Sequence, residues 1–345
     1  MAVAVVLIGG SSSSVGRSEL VGVDQPTPLD SADLQTMGAT NLGTVRFGLN
    51  WPAAEPSEGA FDWTEPDRFV GGLAAQGIEA LPVVFGSPAW VSPNLLRPPL
   101  DSAADRAAWQ AFLKAAIERY GPGGSYWSGD YPSQYGAGAP IVPVRAWQIW
   151  NEPNGKAFWA PAPSAKQYAT LLAISRVTIK SADPGADVVL AGLVGYGQVR
   201  AWNFLDQLYG AGAGRDFDVA ALHPYSRDLG QLDNEVSLFR DAMARHGDEA
   251  KPLWITELGW GSDPRGSGQL NVGPVGQERL LSDSHAMVLD HPAWHIQRLF
   301  WFDWRDPGTA SAGPPGCAWC ASAGLLRHDR RPKPAFQAFE RVAGG

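Results

Sequence analysis

Residues 146–155, AWQIWNEPNG, form a mostly apolar run that ends abruptly in Asn151, Glu152 and Pro153. A buried strand excludes an unpaired carboxylate, and proline cannot donate a hydrogen bond to a neighbouring strand. The strand must therefore end here, with Glu152 at its C-terminal end. Parallel sheets carry their functional side chains at that end, so Glu152 is the first candidate.

Apolar, β-branched runs recur along the chain, and most are followed by segments with helical spacing, such as residues 106–120, 164–182 and 229–246. We interpret eight runs as strands: residues 20–24, 44–51, 80–85, 144–151, 187–194, 218–223, 252–257 and 298–303. Their continuous apolar character is typical of parallel strands that are buried on both faces. Eight strand–helix units predict an α/β fold, a (β/α)8 TIM barrel in a single domain. The alternative, an open doubly wound sheet, would usually show a glycine-rich phosphate turn after its first strand, and none is present.

Composition narrows the classes of partner. The 345 residues have a hydrophobic content of 45%, which is typical of a globular protein with a substantial core. A net charge of −8 argues against a nucleic-acid surface, and no apolar run is long enough to span a bilayer. The 15 tryptophans exceed what a core requires and favour a flat-faced ligand such as carbohydrate.

The N-terminal segment and the two cysteines bear on localisation. The start, MAVAVVLIGGSSSS, has the apolar core of a secretory signal but lacks a basic leader, so a first strand is the alternative. We expect residues 1–18 to be a leader remnant, residues 19–345 to form the barrel, and the protein to be secreted rather than cytoplasmic. Cys317 and Cys320 have no companion ligands for zinc, so a local disulfide is expected, with two thiols as the alternative.

A second glutamate has the same placement as the first. In PLWITELGW the predicted seventh strand runs directly into Glu257. The C-terminal ends of barrel strands converge on one cleft, so Glu152 and Glu257 can face each other. Cleavage of a glycosidic bond needs such a pair: one carboxylic acid protonates the leaving oxygen, and one carboxylate attacks or activates water. Unequal burial and mutual repulsion would separate their pKa values.

The two motifs, WNEPN and ITELGW, resemble the acid/base and nucleophile signatures of clan A glycoside hydrolases. Further similarity lies in VRFGLNW with EPSEGAFDW, in LHPY, in WFDW and in the closing GLLRHDRRPKPAFQAF. The pattern is most similar to glycoside hydrolase families five and thirty-nine. The resemblance implies hydrolysis with retention of configuration, acting on a β-linked oligo- or polysaccharide, and it implies no cofactor.

The resemblance also implies roles for individual residues. Glu152 would be the acid/base and Glu257 the nucleophile, while Asn151 would bind the sugar 2-hydroxyl. Three residues would lie close to Glu257 or the substrate, each with a structural alternative: Arg46 near Glu257, Tyr225 donating to Glu257, and His223 binding substrate. Trp301 would form the platform under the sugar. Further tryptophans that end or follow strands could extend the cleft or pack in the core: Trp51, Trp90, Trp159, Trp260 and Trp304.

Other functions remain as alternatives. One is a carbohydrate-binding barrel without catalysis, although the presence of both glutamates counts against it. Metal-dependent hydrolysis would need several histidines at strand ends, and only His223 qualifies; His291 and His295 are four apart, but Pro292 interrupts a helix there. We expect no metal, a carbohydrate partner and a monomer. The Gly/Pro-rich insertion at residues 121–140 precedes the fourth strand and is expected to pack over the bottom of the barrel.

Overall fold

The chain folds into a ring of parallel strands. The computed structural model describes residues 18–26, 28–266, 268–308 and 317–344. The strands are β1 (Val21–Asp24), β2 (Thr44–Asn50), β3 (Glu79–Phe85), β4 (Ala146–Ile149), β5 (Asp187–Val189), β6 (Leu193–Val194), β7 (Ala220–His223), β8 (Leu253–Leu258) and β9 (Ile296–Phe302). Their order across the sheet is β5-β4-β3-β2-β1-β9-β8-β7-β6, and all pairings are parallel. The predicted (β/α)8 TIM barrel is confirmed.

The fifth predicted strand, residues 187–194, is interrupted and gives the two short strands β5 and β6. Gly192 lies in the interruption. A Cβ atom there would come within 1.8 Å of His223 Nε2, so only glycine lets this backbone pass the histidine. The ring closes at this point because Val189 forms a parallel bridge with Val219, just before β7. The eight predicted strands therefore correspond to nine observed segments.

Helices separate the strands and cover the barrel. They are α1 (Ser31–Ala39), α2 (Trp51–Ala54), α3 (Thr64–Ala75), α4 (Ala103–Tyr120), α5 (Ser125–Ser128), α6 (Asp130–Tyr135), α7 (Ala165–Ala182), α8 (Ala201–Gly210), α9 (Leu229–Arg245), α10 (Gly273–Asp290) and α11 (Pro334–Gly344). Polar caps define several starts: Ser102 and Asp105 form a capping box at α4, and Ser164 accepts from Gln167 N at α7. The bounds of α4 and α7, the helices that these caps begin, were predicted to within three residues.

The insertion at residues 121–140 is ordered, and it forms α5 and α6. Its aromatic residues Tyr126, Trp127 and Tyr131 are buried and pack on one another. None of its residues lines the cavity described below. It packs on α3 and α4, since the Tyr126 hydroxyl donates to Asp67 O and the Tyr126 ring contacts Tyr120. Its packing over the bottom of the barrel stays a prediction.

Two further expectations concern the termini and membranes. The predicted leader, residues 1–18, lies outside the described residues except for its last position. Among the helices that the structure describes, none combines the length and apolar character needed to cross a bilayer.

Candidate active site

A tight turn after β4 places Glu152. Trp150 and Glu152 have positive φ angles of 71° and 42°, a backbone conformation that costs about 1–3 kcal/mol for a residue other than glycine. Packing fixes the turn: the Trp150 ring is fully buried, and its indole N–H donates to Phe158 O at 2.7 Å. Asn154 ties the turn to β6, donating to Val194 O and accepting from Val194 N. The sequence motif thus encodes a strained and firmly held turn that directs one carboxyl group into the barrel mouth.

The Glu257 carboxylate, on β8, is held by two donors. Arg46 Nη1 donates to its Oε1 at 2.6 Å, and the Tyr225 hydroxyl donates to its Oε2 at 2.5 Å. Both contacts were expected from the sequence. Arg46 also donates from Nη2 to Asn151 Oδ1 at 2.7 Å, so the residue before Glu152 shares the same guanidinium.

His223 lies between the two glutamates. Its Nδ1 is 2.9 Å from Glu152 Oε1 and 3.5 Å from Glu257 Oε2. Its Nε2 is 2.9 Å from Thr256 Oγ1, and the ring is fully buried. It is not among the residues that line the cavity in the described part of the chain. The structure therefore corrects the expected role: His223 contacts the two carboxyl groups and not the space for substrate.

The two carboxyl groups face a common cavity of about 930 Å³ at the C-terminal end of the strands. Oxygen atoms of Glu152 and Glu257, together with a His223 nitrogen, all lie within 4.8 Å of one another. Arg46, Asn151 and Tyr225 line the same cavity. Its volume is near the upper end of the range for small-molecule sites, roughly 300–1,000 Å³, and exceeds what one sugar ring requires.

The environment separates the pKa values of the two glutamates. Burial raises the pKa of Glu152 above its usual value, and the hydrogen bond to His223 offsets this only in part. Burial also acts to raise the pKa of Glu257, but attraction to His223 and Arg46 and the Tyr225 hydrogen bond bring it below its usual value. One carboxyl group thus holds a proton where the other is ionised. This division of roles is what an acid and a nucleophile require.

A third carboxyl group, Asp24, belongs to the site although sequence reasoning missed it. Asp24 ends β1, lines the cavity, and accepts from Arg46 Nη1 at 2.7 Å. Burial raises its pKa to about 7 despite the attraction of Arg46. The signal was available, because an acidic residue at the end of a predicted strand is the same feature that identified Glu152.

Gln148 is a second residue that sequence reasoning missed. From β4 it accepts from Arg46 Nε at 2.6 Å and donates to Thr256 Oγ1 at 3.2 Å and to Leu190 O at 3.0 Å. It therefore connects the guanidinium to the threonine that contacts His223. A buried glutamine within an apolar strand run was the available signal, since such a group needs partners.

The side chains of Glu152, His223 and Glu257 lie close enough together to hold a cation. Among the described residues, they are the cluster of His, Cys, Asp or Glu side chains with this property. However, both oxygens of Glu257 already accept hydrogen bonds, from Arg46 and Tyr225. A divalent cation would have to compete with the guanidinium charge. The arrangement suits proton transfer better than metal binding.

A family model supplies the decisive comparison. The model described as the glycosyl hydrolase catalytic core matches residues 143–315, half of the 345-residue chain. The chain belongs to the glycosyl hydrolase catalytic core family. Glu152 and Glu257 both lie within the matched residues. This membership confirms, at the level of enzyme class, the O-glycosyl hydrolase expected from the sequence. No curated protein matches the chain significantly.

Solved structures resemble this glycosyl hydrolase over almost its whole length. A family 39 glycoside hydrolase from Bacteroides cellulosilyticus is 21% identical with a TM-score of 0.68, covering 95% of this chain and 64% of that one. GH5_18 from Streptomyces cattleya is 19% identical with a TM-score of 0.70, covering 95% and 80%. A monomeric β-xylosidase from Caulobacter crescentus is 19% identical with a TM-score of 0.66, covering 94% and 67%. At such identities the similarity establishes the barrel fold, and the chain spans less than two thirds of the length of the first of these structures.

The expected aromatic platform of the hydrolase is corrected by the structure. Trp301 is 1% exposed, and its indole N–H donates to Ala323 O at 3.1 Å. Its ring packs against Trp260, with centroids 5.9 Å apart. The neighbouring residue, Phe302, lines the cavity instead. Successive side chains of a strand point to opposite faces, so the offset of one residue moves Trp301 from the cleft into the core.

Trp51 and Trp260 were also expected to contact substrate, and both are fully buried. Trp51 donates from its indole N–H to Glu55 Oε2 at 2.7 Å, and Trp260 donates to Ser226 O at 2.7 Å. Neither lines the cavity among the residues that the structure describes. Both tryptophans are core residues with satisfied N–H groups, the alternative that the sequence left open.

Other aromatic side chains form the wall of the cavity: Phe85, Phe158, Tyr196, Tyr225, Phe302 and Trp319. Tyr196, in the loop after β6, is 51% exposed. Trp319 lies between Cys317 and Cys320, which form the disulfide that the sequence suggested. The aromatic contribution to the site thus comes largely from loops, for which periodicity gives no signal.

Proposed function

We propose that the chain is a retaining glycoside hydrolase in which Glu152 is the acid/base and Glu257 the nucleophile. The observation that carries this proposal is the pair of carboxyl groups facing one cavity, with oxygens within 4.8 Å and opposite pKa shifts. Retaining enzymes place their carboxyl groups about 5–5.5 Å apart, whereas inverting enzymes need about 6.5–9.5 Å to admit a water. The observed spacing supports retention.

Each step of the reaction has a residue in place. Glu152 donates its proton to the glycosidic oxygen while Glu257 attacks the anomeric carbon, so the carbon–oxygen bond breaks and a glycosyl ester forms. Water then attacks the anomeric carbon, gives a proton to the Glu152 carboxylate, and releases Glu257. Positioned acid/base catalysis of this kind contributes on the order of 10²- to 10⁴-fold in rate.

Three neighbours support the charges that develop. Arg46 and Tyr225 hold Glu257 ionised and orient both of its oxygens. Asn151 lines the cavity, and its Oδ1 accepts from Arg46. This leaves the amide nitrogen as the group that donates to the sugar 2-hydroxyl, an interaction that strengthens in the transition state.

We further propose a β-linked oligo- or polysaccharide as substrate. The cavity of about 930 Å³ and its several aromatic side chains support a ligand longer than one sugar. The Cys317–Cys320 disulfide supports export to an oxidising compartment. A monomer is proposed by analogy with the Caulobacter β-xylosidase, which is described as monomeric.

The test combines two variants and a product analysis. Glu257→Ala should abolish turnover of aryl glycosides. Glu152→Ala should hydrolyse an activated aryl glycoside slowly and be rescued by azide, which traps the glycosyl-enzyme as a glycosyl azide. Proton NMR should show that the first product has the anomeric configuration of the substrate. An inverted first product, or full activity of Glu257→Ala, would contradict the assignment. No reducing-sugar release from any polysaccharide would favour a carbohydrate-binding barrel instead.

A further inference from the structure

Trp319 is placed to contact substrate although the turn that carries it lies outside the barrel strands. The residue follows β9 in sequence, is partly exposed, and lines the cavity together with Cys317 and Cys320. Its ring meets Tyr225 with centroids 5.0 Å apart and Phe302 with centroids 5.6 Å apart. Tyr225 in turn donates to Glu257 Oε2. Tyr225 therefore links Trp319 to Glu257, the residue proposed as the nucleophile.

Covalent and hydrogen-bonded constraints fix the loop around Trp319. The Cys317–Cys320 disulfide closes a ring of four residues, with Cα atoms 5.5 Å apart. A short 3₁₀ turn follows directly, and Ser322 N donates to Trp319 O at 3.0 Å. Such a ring leaves few backbone conformations to Trp319.

The carbonyl groups of Ser322 and Ala323 anchor this loop to the barrel. Ser322 O accepts from Ser262 Oγ at 3.0 Å and from Lys333 Nζ at 2.9 Å. Ala323 O accepts from Trp301 Nε1 at 3.1 Å and from Gln277 Nε2 at 3.0 Å. An indole held in this way can bind a sugar face without first being ordered, which lowers the entropic cost of binding.

We propose that Trp319, presented by the Cys317–Cys320 ring, is the aromatic wall that binds a pyranose ring next to the cleavage point and helps to determine substrate specificity. This inference rests on the proposed glycoside hydrolase function. Indole faces suit flat, partly apolar ligands such as the C–H face of a β-linked pyranose. Trp301 then has a supporting role, since its N–H group holds the loop that presents Trp319.

A purely structural role for Trp319 makes a different prediction. If the ring acted only by packing against Tyr225, its removal would disturb the hydrogen bond to Glu257. The rate constant kcat would fall and the acid limb of the pH–rate profile would move, while KM would stay the same. A binding wall affects KM and leaves the pH profile unchanged.

The experiment compares Trp319→Ala, Trp319→Phe and the double variant Cys317→Ser/Cys320→Ser with the wild type. The control is Trp202→Ala, which truncates a partly buried tryptophan on α8 that does not line the cavity. Kinetics are measured on the aryl β-glycoside that the wild type cleaves best and on cellohexaose, xylohexaose and mannohexaose. Loss of an aromatic anchor should raise KM by about tenfold or more, with kcat within about threefold. Trp319→Phe should recover part of the affinity that Trp319→Ala loses. Cys317→Ser/Cys320→Ser should show a KM between those of the wild type and Trp319→Ala.

Binding measured without turnover separates the two proposals. The same hexasaccharides are titrated calorimetrically into Glu257→Gln, with and without Trp319→Ala. Weaker binding by Glu257→Gln/Trp319→Ala than by Glu257→Gln supports the role of Trp319, whether or not the roles of the glutamates are correct. Equal binding, or a kcat and pH-profile change without a change in KM, overturns it. A wild type that binds the hexasaccharides through Trp319 but cleaves no glycoside would instead overturn the proposed hydrolysis alone.

Discussion

Replacing Asp24 by asparagine should change how the stability of the protein depends on pH. Asp24 and Glu257 accept from the same nitrogen of Arg46, at 2.7 and 2.6 Å, so one cation serves two buried carboxyl groups. Burial raises the pKa of Asp24 from 3.8 to about 7. The folded state therefore keeps a proton on Asp24 at pH values where the unfolded chain has lost it.

The sign and size of the effect follow from this difference. A raised pKa in the folded state contributes stability that is fully present below about pH 4 and is lost as the pH rises to about 7. Each pKa unit corresponds to about 1.4 kcal/mol, so the loss amounts to about 4 kcal/mol. The amide that replaces the carboxyl group in Asp24→Asn does not titrate. The free energy of unfolding of this variant, relative to the wild type, should thus increase by about 4 kcal/mol between pH 4 and 7 and stay level above pH 7.

Urea unfolding, followed by tryptophan fluorescence at half-unit intervals of pH, measures this difference. The control is Asn151→Ala, which removes an uncharged partner of Arg46. Its loss of stability should not vary with pH. If the difference between Asp24→Asn and the wild type stays constant from pH 4 to 7, then Asp24 is ionised throughout that range and the charge assignment fails.

Three further substitutions test other contacts of the site. Tyr225→Phe removes a hydrogen bond to the Glu257 carboxylate that contributes about 1.5–3 kcal/mol. The pKa of Glu257 should therefore rise, and the acid limb of the pH profile of kcat/KM should move up by about one pH unit or more. An unmoved acid limb would contradict the assignment of Glu257 as the nucleophile. Arg46→Met leaves buried carboxyl groups without their cation and should lower the free energy of unfolding at pH 7 by about 3–5 kcal/mol in urea titrations, with loss of most activity; a variant as stable and as active as the wild type would refute this role. Trp301→Phe keeps a ring in the core but loses the hydrogen bond to Ala323, so stability should fall by about 1 kcal/mol. Because this bond helps to hold the loop of Trp319, KM should rise less than in Trp319→Ala; a rise in KM larger than that of Trp319→Ala would restore Trp301 as the platform.

The sequence was sufficient to predict the strands and both glutamates. Continuous apolar runs marked the parallel strands, and a carboxylate directly after such a run is costly unless it is paired or hydrogen-bonded, which makes it a candidate for function. Glu152 and Glu257 both stood out for this reason. The fifth strand was predicted as one run because its residues are apolar throughout, although close approach of His223 at Gly192 divides it.

The aromatic residues of the cleft were not predictable in the same way. Trp301 and Phe302 are adjacent and both aromatic, so sequence alone cannot say which one faces the cavity. The pairing of β8 with β9 contains register shifts, between Leu253 and Trp254 and between Ile255 and Leu258. A shift of one residue reverses the faces of a strand, and it depends on contacts that are distant in sequence. Trp319 lies in a loop, where its position is set by a disulfide and not by periodicity.

The charges of the cleft also explain why one glutamate holds a proton and the other does not. Glu152, Asp24 and Glu257 are all buried, and Arg46 is the guanidinium that contacts them or their neighbours. Burial raises the pKa values of Glu152 and Asp24 above their usual values, while the pKa of Glu257 lies below its usual value. The contacts of the two glutamates differ: Glu257 accepts from the guanidinium and from the Tyr225 hydroxyl, while among the described residues Glu152 has His223 as its side-chain hydrogen-bonding partner. The acid and the nucleophile therefore differ because His223, Arg46 and the Tyr225 hydroxyl together outweigh burial at Glu257, whereas burial dominates at Glu152.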